Sequence, residues 1–240
     1  MASIGTVLRE KLSQIVFKAL VIDEVRDLSS HFRRMRLSAP WLRTSGCAPG
    51  DKLQIMINEA GPRTFSPFGH DRERGTLDLL TYVHGDTQTA AWIRAAAPGN
   101  VLRGFGPRSS LALASLSGPV VFVGDETSFG AALSLPRLHA AADGVSCVFE
   151  VSDPEEATGV LRELSLPANA IVARQPGLGH LDALEQAVRA EVARHPRARL
   201  VLTGHAQVIQ GLRKRLKAQP TEARGQTVKA YWADGKRGLD

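Results

Sequence analysis

Val120-Val121-Phe122-Val123-Gly124-Asp125-Glu126-Thr127 is the stretch on which the fold turns. Four consecutive apolar residues do not alternate between core and water, so they read as a strand covered on both faces. Glycine ends the run, and acidic and hydroxyl residues open a helix. The same rhythm repeats downstream: helical stretches at 128–142, 155–164, 181–194 and 206–218 alternate with strand-like runs at 145–151, 170–174, 199–203 and 228–232. Repeated strand–helix units imply a five-stranded parallel α/β sheet covered by helices.

Upstream the rhythm differs. Runs at 17–22, 32–37, 52–57, 63–67, 76–84 and 100–106 show partial or strict alternation. Turn signals separate them, among them Ala48-Pro49-Gly50-Asp51, Glu59-Ala60-Gly61-Pro62 and Ala97-Pro98-Gly99-Asn100. About six short strands at this spacing predict a closed Greek-key β-barrel. One helix over 87–96 interrupts it, and residues 3–14 have the pattern of a short amphipathic helix capping the barrel. The expected division is a barrel over 1–112, a small-residue linker over 113–118 and an α/β domain over 119–240.

The bulk numbers narrow the function. With 240 residues, 43% hydrophobic and 22% charged, the chain can bury a sizeable core. A net charge of +6 and a pI of about 9.7 favour acidic ligands such as a dinucleotide, an anionic chelate or an acidic protein. No interleaving of aromatic and basic residues accompanies that charge, so nucleic acid is not the expected partner. Cys47 and Cys147 lie outside any metal-ligand spacing and read as free thiols in a reducing compartment. No run of ~18 apolar residues occurs, so no membrane span is expected and the cytoplasm is the expected location.

Three short constellations could carry chemistry. Arg63-Thr64-Phe65-Ser66 offers a forked donor for phosphate, a flat face for stacking and a hydroxyl. Alternation would put Arg63 and Phe65 on one side, but a plain strand with an exposed Arg and a core Phe has the same pattern. Val83-His84-Gly85-Asp86 then runs from a strand into a helix start, where free amides with Thr87 and Thr89 form a pyrophosphate site. His84 stands ready for phosphate or adenosine, or simply for capping. A cationic strand followed by an anion-receiving helix start is what FAD requires. The third constellation is Gly124-Asp125-Glu126-Thr127, a strand-to-helix turn where α/β sheets bind ligands, although its acids also suit a plain helix start. Gly204 marks a second such turn, and Tyr231-Trp232 closes the last strand before a basic tail.

With these residues in view, the chain resembles the siderophore-interacting protein family over roughly 17–234. The resemblance rests on Arg63-Thr64-Phe65-Ser66, Val83-His84-Gly85-Asp86 with Trp92 downstream, Pro98-Gly99-Asn100, Gly106-Pro107-Arg108, Gly124-Asp125-Glu126-Thr127 and Tyr231-Trp232. It implies a ferredoxin reductase-like fold and an FAD-dependent reductase that converts ferric siderophores to Fe(II). Electrons would come from NAD(P)H or a ferredoxin-like donor. It further implies FAD contacts from Arg63, Thr64, Phe65 and Ser66, from the turn Val83, His84, Gly85, Thr87 and Thr89, and from Trp232. Nicotinamide contacts would come from Gly124, Asp125, Glu126, Thr127 and Gly204, and chelate contacts from Lys52, Arg103, Lys236 and Arg237. The flavin itself would do the redox work, with no catalytic side chain and no bound metal beyond it.

The chain departs from the family pattern in three places. Phe65 stands where Tyr is usual, Thr87-Gln88-Thr89-Ala90 replaces Gly-Pro-Ala-Ser, and Thr203-Gly204-His205 replaces Ala-Gly-Glu. Two other readings stay open: an FAD enzyme with a flavin, quinone or electron-transfer-protein acceptor, and a non-enzymatic chelate- or nucleotide-binding module.

Overall fold

Seven antiparallel strands carry the first half of the chain: β1 (Lys18–Asp27), β2 (Phe32–Ser38), β3 (Lys52–Ile57), β4 (Gly61–Phe65), β5 (Pro67–Asp71), β6 (Thr76–Tyr82) and β7 (Val101–Arg108). The computed structural model describes residues 17–57, 61–135 and 144–236. The chain forms two compact units, Met1–Ser110 and Leu111–Asp240. The first sheet is ordered β4-β3-β7-β1-β2-β6-β5. Its core is built by alternation: Leu20 and Ile22 of β1, Met35 and Leu37 of β2, Leu53, Ile55 and Ile57 of β3, and Leu77 and Leu79 of β6 are all buried in one cluster.

Among the described residues the barrel is not closed by hydrogen bonds, because β4 and β5 form the two edges of the sheet. This corrects the expected closed barrel of about six strands. It also splits the run 63–67: β4 ends at Phe65, and β5 begins at Pro67, which has no N–H to continue a ladder.

Among the described residues, one α-helix interrupts the sheet, α1 (Gln88–Ala95). Gly85 turns the chain into it at φ 61°, a left-handed conformation that favours glycine. Thr87 caps it by accepting a 3.0 Å hydrogen bond from the Ala90 amide. Ala90 and Ile93, one turn apart, bury into the barrel core.

The second unit is a parallel sheet ordered β10-β9-β8-β11-β12. Its strands are β8 (Val120–Gly124), β9 (Val145–Val151), β10 (Ala170–Ala173), β11 (Arg199–His205) and β12 (Gly225–Trp232). Its helices are α2 (Phe129–Leu133), α3 (Pro154–Glu163), α4 (Leu181–Arg194) and α5 (Ala206–Ala218). Val121 and Val123 of β8 pack with Leu184 and Val188 of α4 and with Leu212 of α5. Phe122 instead meets Phe149, which meets Phe129 of α2 at 4.7 Å between ring centroids. The unbroken apolar run of β8 therefore serves two cores, one on each face.

The segment read as a linker contains a 3-10 turn, Leu113–Ser115, with Leu113 fully buried. The expected helix at 3–14, the last part of the helix expected at 128–142 and Arg237 lie outside the described residues. No helix among the described residues is long and apolar enough to cross a membrane.

Candidate cofactor site

In the first unit, β4 pairs with β3 so that Arg63 lies opposite Ile55 and Phe65 opposite Leu53, with Thr64 opposite Gln54. Directly opposed residues share a face, so Arg63 and Phe65 point to one side and Thr64 to the other, as alternation requires. Arg63 Nε donates to Thr89 Oγ1 at 3.1 Å, and Nη1 donates to the Pro62 carbonyl at 3.0 Å. The strand cation and the helix start, twenty-six residues apart in sequence, thus meet at hydrogen-bond distance.

Phe65 is half-buried and packs against Trp92 of α1, ring centroids 6.0 Å apart. Ser66 is half-buried at the break between β4 and β5. Val83 is buried, and its amide donates to the His31 carbonyl at 2.8 Å. His84 is exposed, its ring stacked on Tyr82 at 6.3 Å between centroids. At Gly85 a Cβ would meet nothing within 4 Å, so the space in front of the turn is open. A cation, two threonine hydroxyls and a helix start converging beside open space fit a pyrophosphate. The half-buried face of Phe65 fits a planar ring.

In the second unit, Asp125 is fully buried at the end of β8. Its carboxylate accepts from the Thr127 amide at 2.9 Å, from the Thr127 hydroxyl, and from the Trp232 indole N–H at 2.6 Å. Burial pushes the Asp125 pKa up, as does neighbouring Glu126, while the Thr127 and Trp232 hydrogen bonds oppose the shift. Gly204 leaves room for this carboxylate: a Cβ there would lie 2.5 Å from Asp125 Oδ2. Gly124 is similarly tight, since its Cβ would meet Ser128 and Thr203. The Trp232 ring stacks on His205, 3.9 Å between centroids and 8° from parallel, and the Arg174 guanidinium stands over it at 5.7 Å.

Glu126, also buried, accepts from the Ser152 amide at 2.6 Å and from Arg174 at 2.6 Å. Arg174 donates as well to Glu150 at 2.8 Å, and His180 Nε2 lies 3.0 Å from the same Glu150 oxygen. Burial drives the Glu150 carboxyl up to about 7, against the pull of Arg174. Burial also pushes His180 down. The expected nicotinamide residues are thus brought together at the carboxyl end of the sheet, where such folds bind ligands. They are held there by an internal charge network.

Sequence reasoning missed Arg174, Glu150 and His180. Glu150 carried a signal, being one acid inside the apolar run Val145-Ser146-Cys147-Val148-Phe149-Glu150-Val151. Of the expected chelate cations, Lys52 and Arg103 lie in the first unit and Lys236 in the second. Lys52 lies opposite Arg108 near the end of β7, whereas Arg103 lies opposite Ala19 of β1. Lys236 is exposed in the second unit.

No protein-family model matches the chain, and no curated protein sequence matches it. Solved structures do. The siderophore-interacting protein SipS from Aeromonas hydrophila superposes with a TM-score of 0.72 at 21% identity, covering 92% of each chain. A siderophore utilization protein from T. fusca gives 0.69 at 21% identity, covering 93% of this chain and 95% of that one. A ferredoxin NADP+ reductase from Neisseria gonorrhoeae, with bound FAD and NADP, gives 0.68 at 14% identity, covering 90% and 99%. The chain has the ferredoxin reductase-like fold that siderophore-interacting proteins and ferredoxin-NADP+ reductases share.

Proposed function

We propose that the chain is an FAD-dependent oxidoreductase that reduces ferric siderophores to Fe(II), with electrons from NAD(P)H or a ferredoxin-like donor. The observation that carries this reading is the approach of Arg63 to Thr89 at the start of α1. Arg63, Thr87 and Thr89 would hold the pyrophosphate, Phe65 would support one face of the ring and Ser66 would donate toward its edge. Thr64, Val83, His84 and Gly85 would line the cofactor. FAD, when bound, supplies the redox chemistry by taking a hydride from a nicotinamide and passing single electrons to the acceptor.

The protein's task is then binding and orientation. Arg63 neutralises phosphate charge with a fixed fork. The α1 start adds amides that need no reorganisation. Phe65, lacking a phenol hydroxyl, offers only its face. In the second unit, Gly124, Asp125, Glu126, Thr127 and Gly204 would receive the nicotinamide. Lys52, Arg103, Lys236 and Arg237 remain the proposed contacts for an anionic chelate. Hard anionic oxygen donors hold Fe(III) much more firmly than Fe(II), so one-electron reduction loosens the metal.

The test is anaerobic turnover of FAD-loaded protein with NADH or NADPH, a ferric hydroxamate or catecholate, and a chromogenic Fe(II) trap. The proposal expects flavin bleaching by a nicotinamide and Fe(II) formation that depends on both protein and chelate. Bleaching with no Fe(II) would mean a different acceptor. If neither nicotinamide bleaches the flavin, the nicotinamide donor is wrong.

A further inference from the structure

We propose that Arg33, on β2 and outside every set of residues described above as touching cofactor, is a positioning residue for the cofactor's pyrophosphate. The inference rests on the FAD reading and adds to it the element that holds α1 in register.

α1 has only eight residues, too short to be stable from its own hydrogen bonds. The last carbonyls of a helix lack the usual intrahelical amide partners, and here Ile93 accepts a closing bond from the Ala96 amide at 3.3 Å. The Arg33 guanidinium adds further donors at this end: Nη1 donates to the Arg94 carbonyl at 2.9 Å, to the carbonyl of the capping residue Ala96 at 3.3 Å and to the Ile93 carbonyl. A cation at this end also complements the negative pole of the helix.

Arg33 is itself held from several directions. Its side chain is 16% exposed and its Nε pairs with Asp27. Its backbone lies opposite Asp27 on β1 and Thr81 on β6, and the Thr81 hydroxyl donates to its carbonyl at 3.0 Å. A residue fixed on an interior strand of the sheet thus grips one end of α1, while Arg63 meets the other end through Thr89. Two arginines from separate strands therefore set where the helix start stands. Only one of them is aimed at the ligand. If the grip at the C-terminal end is lost, the helix start can drift from Arg63, and hydrogen bonds to phosphate weaken steeply with misalignment.

The role predicts a ligand-selective effect. R33Q should bind FAD and ADP, which both carry the pyrophosphate, about tenfold more weakly. Riboflavin, which has the ring and no phosphate, should bind as it does to wild type. R33K, keeping the cation but not the fork, should fall between. A purely structural loss would weaken all three ligands together. Titrations of apo-protein with FAD, ADP and riboflavin, with circular dichroism to check folding, read this out. If R33Q does not fold, R33K decides the matter by the same FAD-to-riboflavin comparison. Wild-type affinity for FAD and ADP from both folded variants, or an equal loss for riboflavin, would overturn the inference. Failure of the wild type itself to bind FAD would instead overturn the functional reading on which it rests.

Discussion

Arg63 Nε donates to Thr89 Oγ1 across 3.1 Å, joining the middle of β4 to the second residue of α1. The contact turns a strand cation and a helix start into one anion-receiving corner. Charge-assisted hydrogen bonds contribute about 1.5–3 kcal/mol each. R63A should therefore weaken FAD binding by about a hundredfold, and R63K by less because it keeps charge without the fork. Ultrafiltration of reconstituted protein measures this. R63A that retains FAD as wild type does would remove Arg63 from the site.

Phe65 makes a different claim, because it would meet the ring and not the phosphates. F65A should weaken FAD and riboflavin alike, by about tenfold, since aromatic contacts contribute about 0.5–1.5 kcal/mol beyond area burial. F65Y should keep the affinity of wild type. Loss of FAD binding with riboflavin binding intact would mean that Phe65 does not face the ring. Because Phe65 also packs on Trp92 and the barrel core, a melting curve of F65A belongs beside the titration.

Much of the architecture was legible in the sequence, for reasons visible in particular elements. The run at β8 could be read because burial on both faces leaves no polar position in it. The bounds of α4 and α5 match the expected 181–194 and 206–218, since each has one apolar face against the sheet and a polar one outside. The seam between β4 and β5 was harder. Phe65-Ser66-Pro67 contains no glycine, and only the missing N–H of Pro67 marks the break. Arg63 and Thr89 were each legible as types, but their approach depends on the fold. Arg33 was not legible at all, because its partners on α1 are backbone carbonyls, which carry no sequence signature.

The buried Glu150 makes stability depend on pH. Its folded pKa, raised to about 7 by burial from 4.5, means the folded state holds a proton that the unfolded state has released. Its contribution is therefore full below about pH 4.5 and is lost as pH rises toward 7, by on the order of 3 kcal/mol. His180, lowered by burial, works in the opposite sense below its ordinary pKa. Comparing wild type with E150Q removes most of that background. Urea unfolding at pH 5 and pH 8 should show wild type losing stability relative to E150Q at the higher pH. A difference that is the same at both pH values would contradict the assignment.

Gly204 and Trp232 guard the Asp125 carboxylate from opposite requirements, one by leaving space and one by donating. G204A must fit a Cβ 2.5 Å from Asp125 Oδ2 at φ 98°, and should cost more than about 2 kcal/mol. W232F keeps a ring for His205 but removes the 2.6 Å indole donor, which should cost about 1–3 kcal/mol. Denaturant unfolding should place both G204A and W232F below wild type. A G204A protein as stable as wild type would show that Asp125 is not held as described.

Every role proposed for the barrel unit depends on FAD being held there. An absorption spectrum of the purified protein, followed by chromatography of whatever heat releases from it, tests this without any variant. A yellow protein with the absorption bands of an oxidised flavin is expected, and a released compound that elutes as FAD and not as FMN. A colourless protein that takes up no FAD on reconstitution would contradict it.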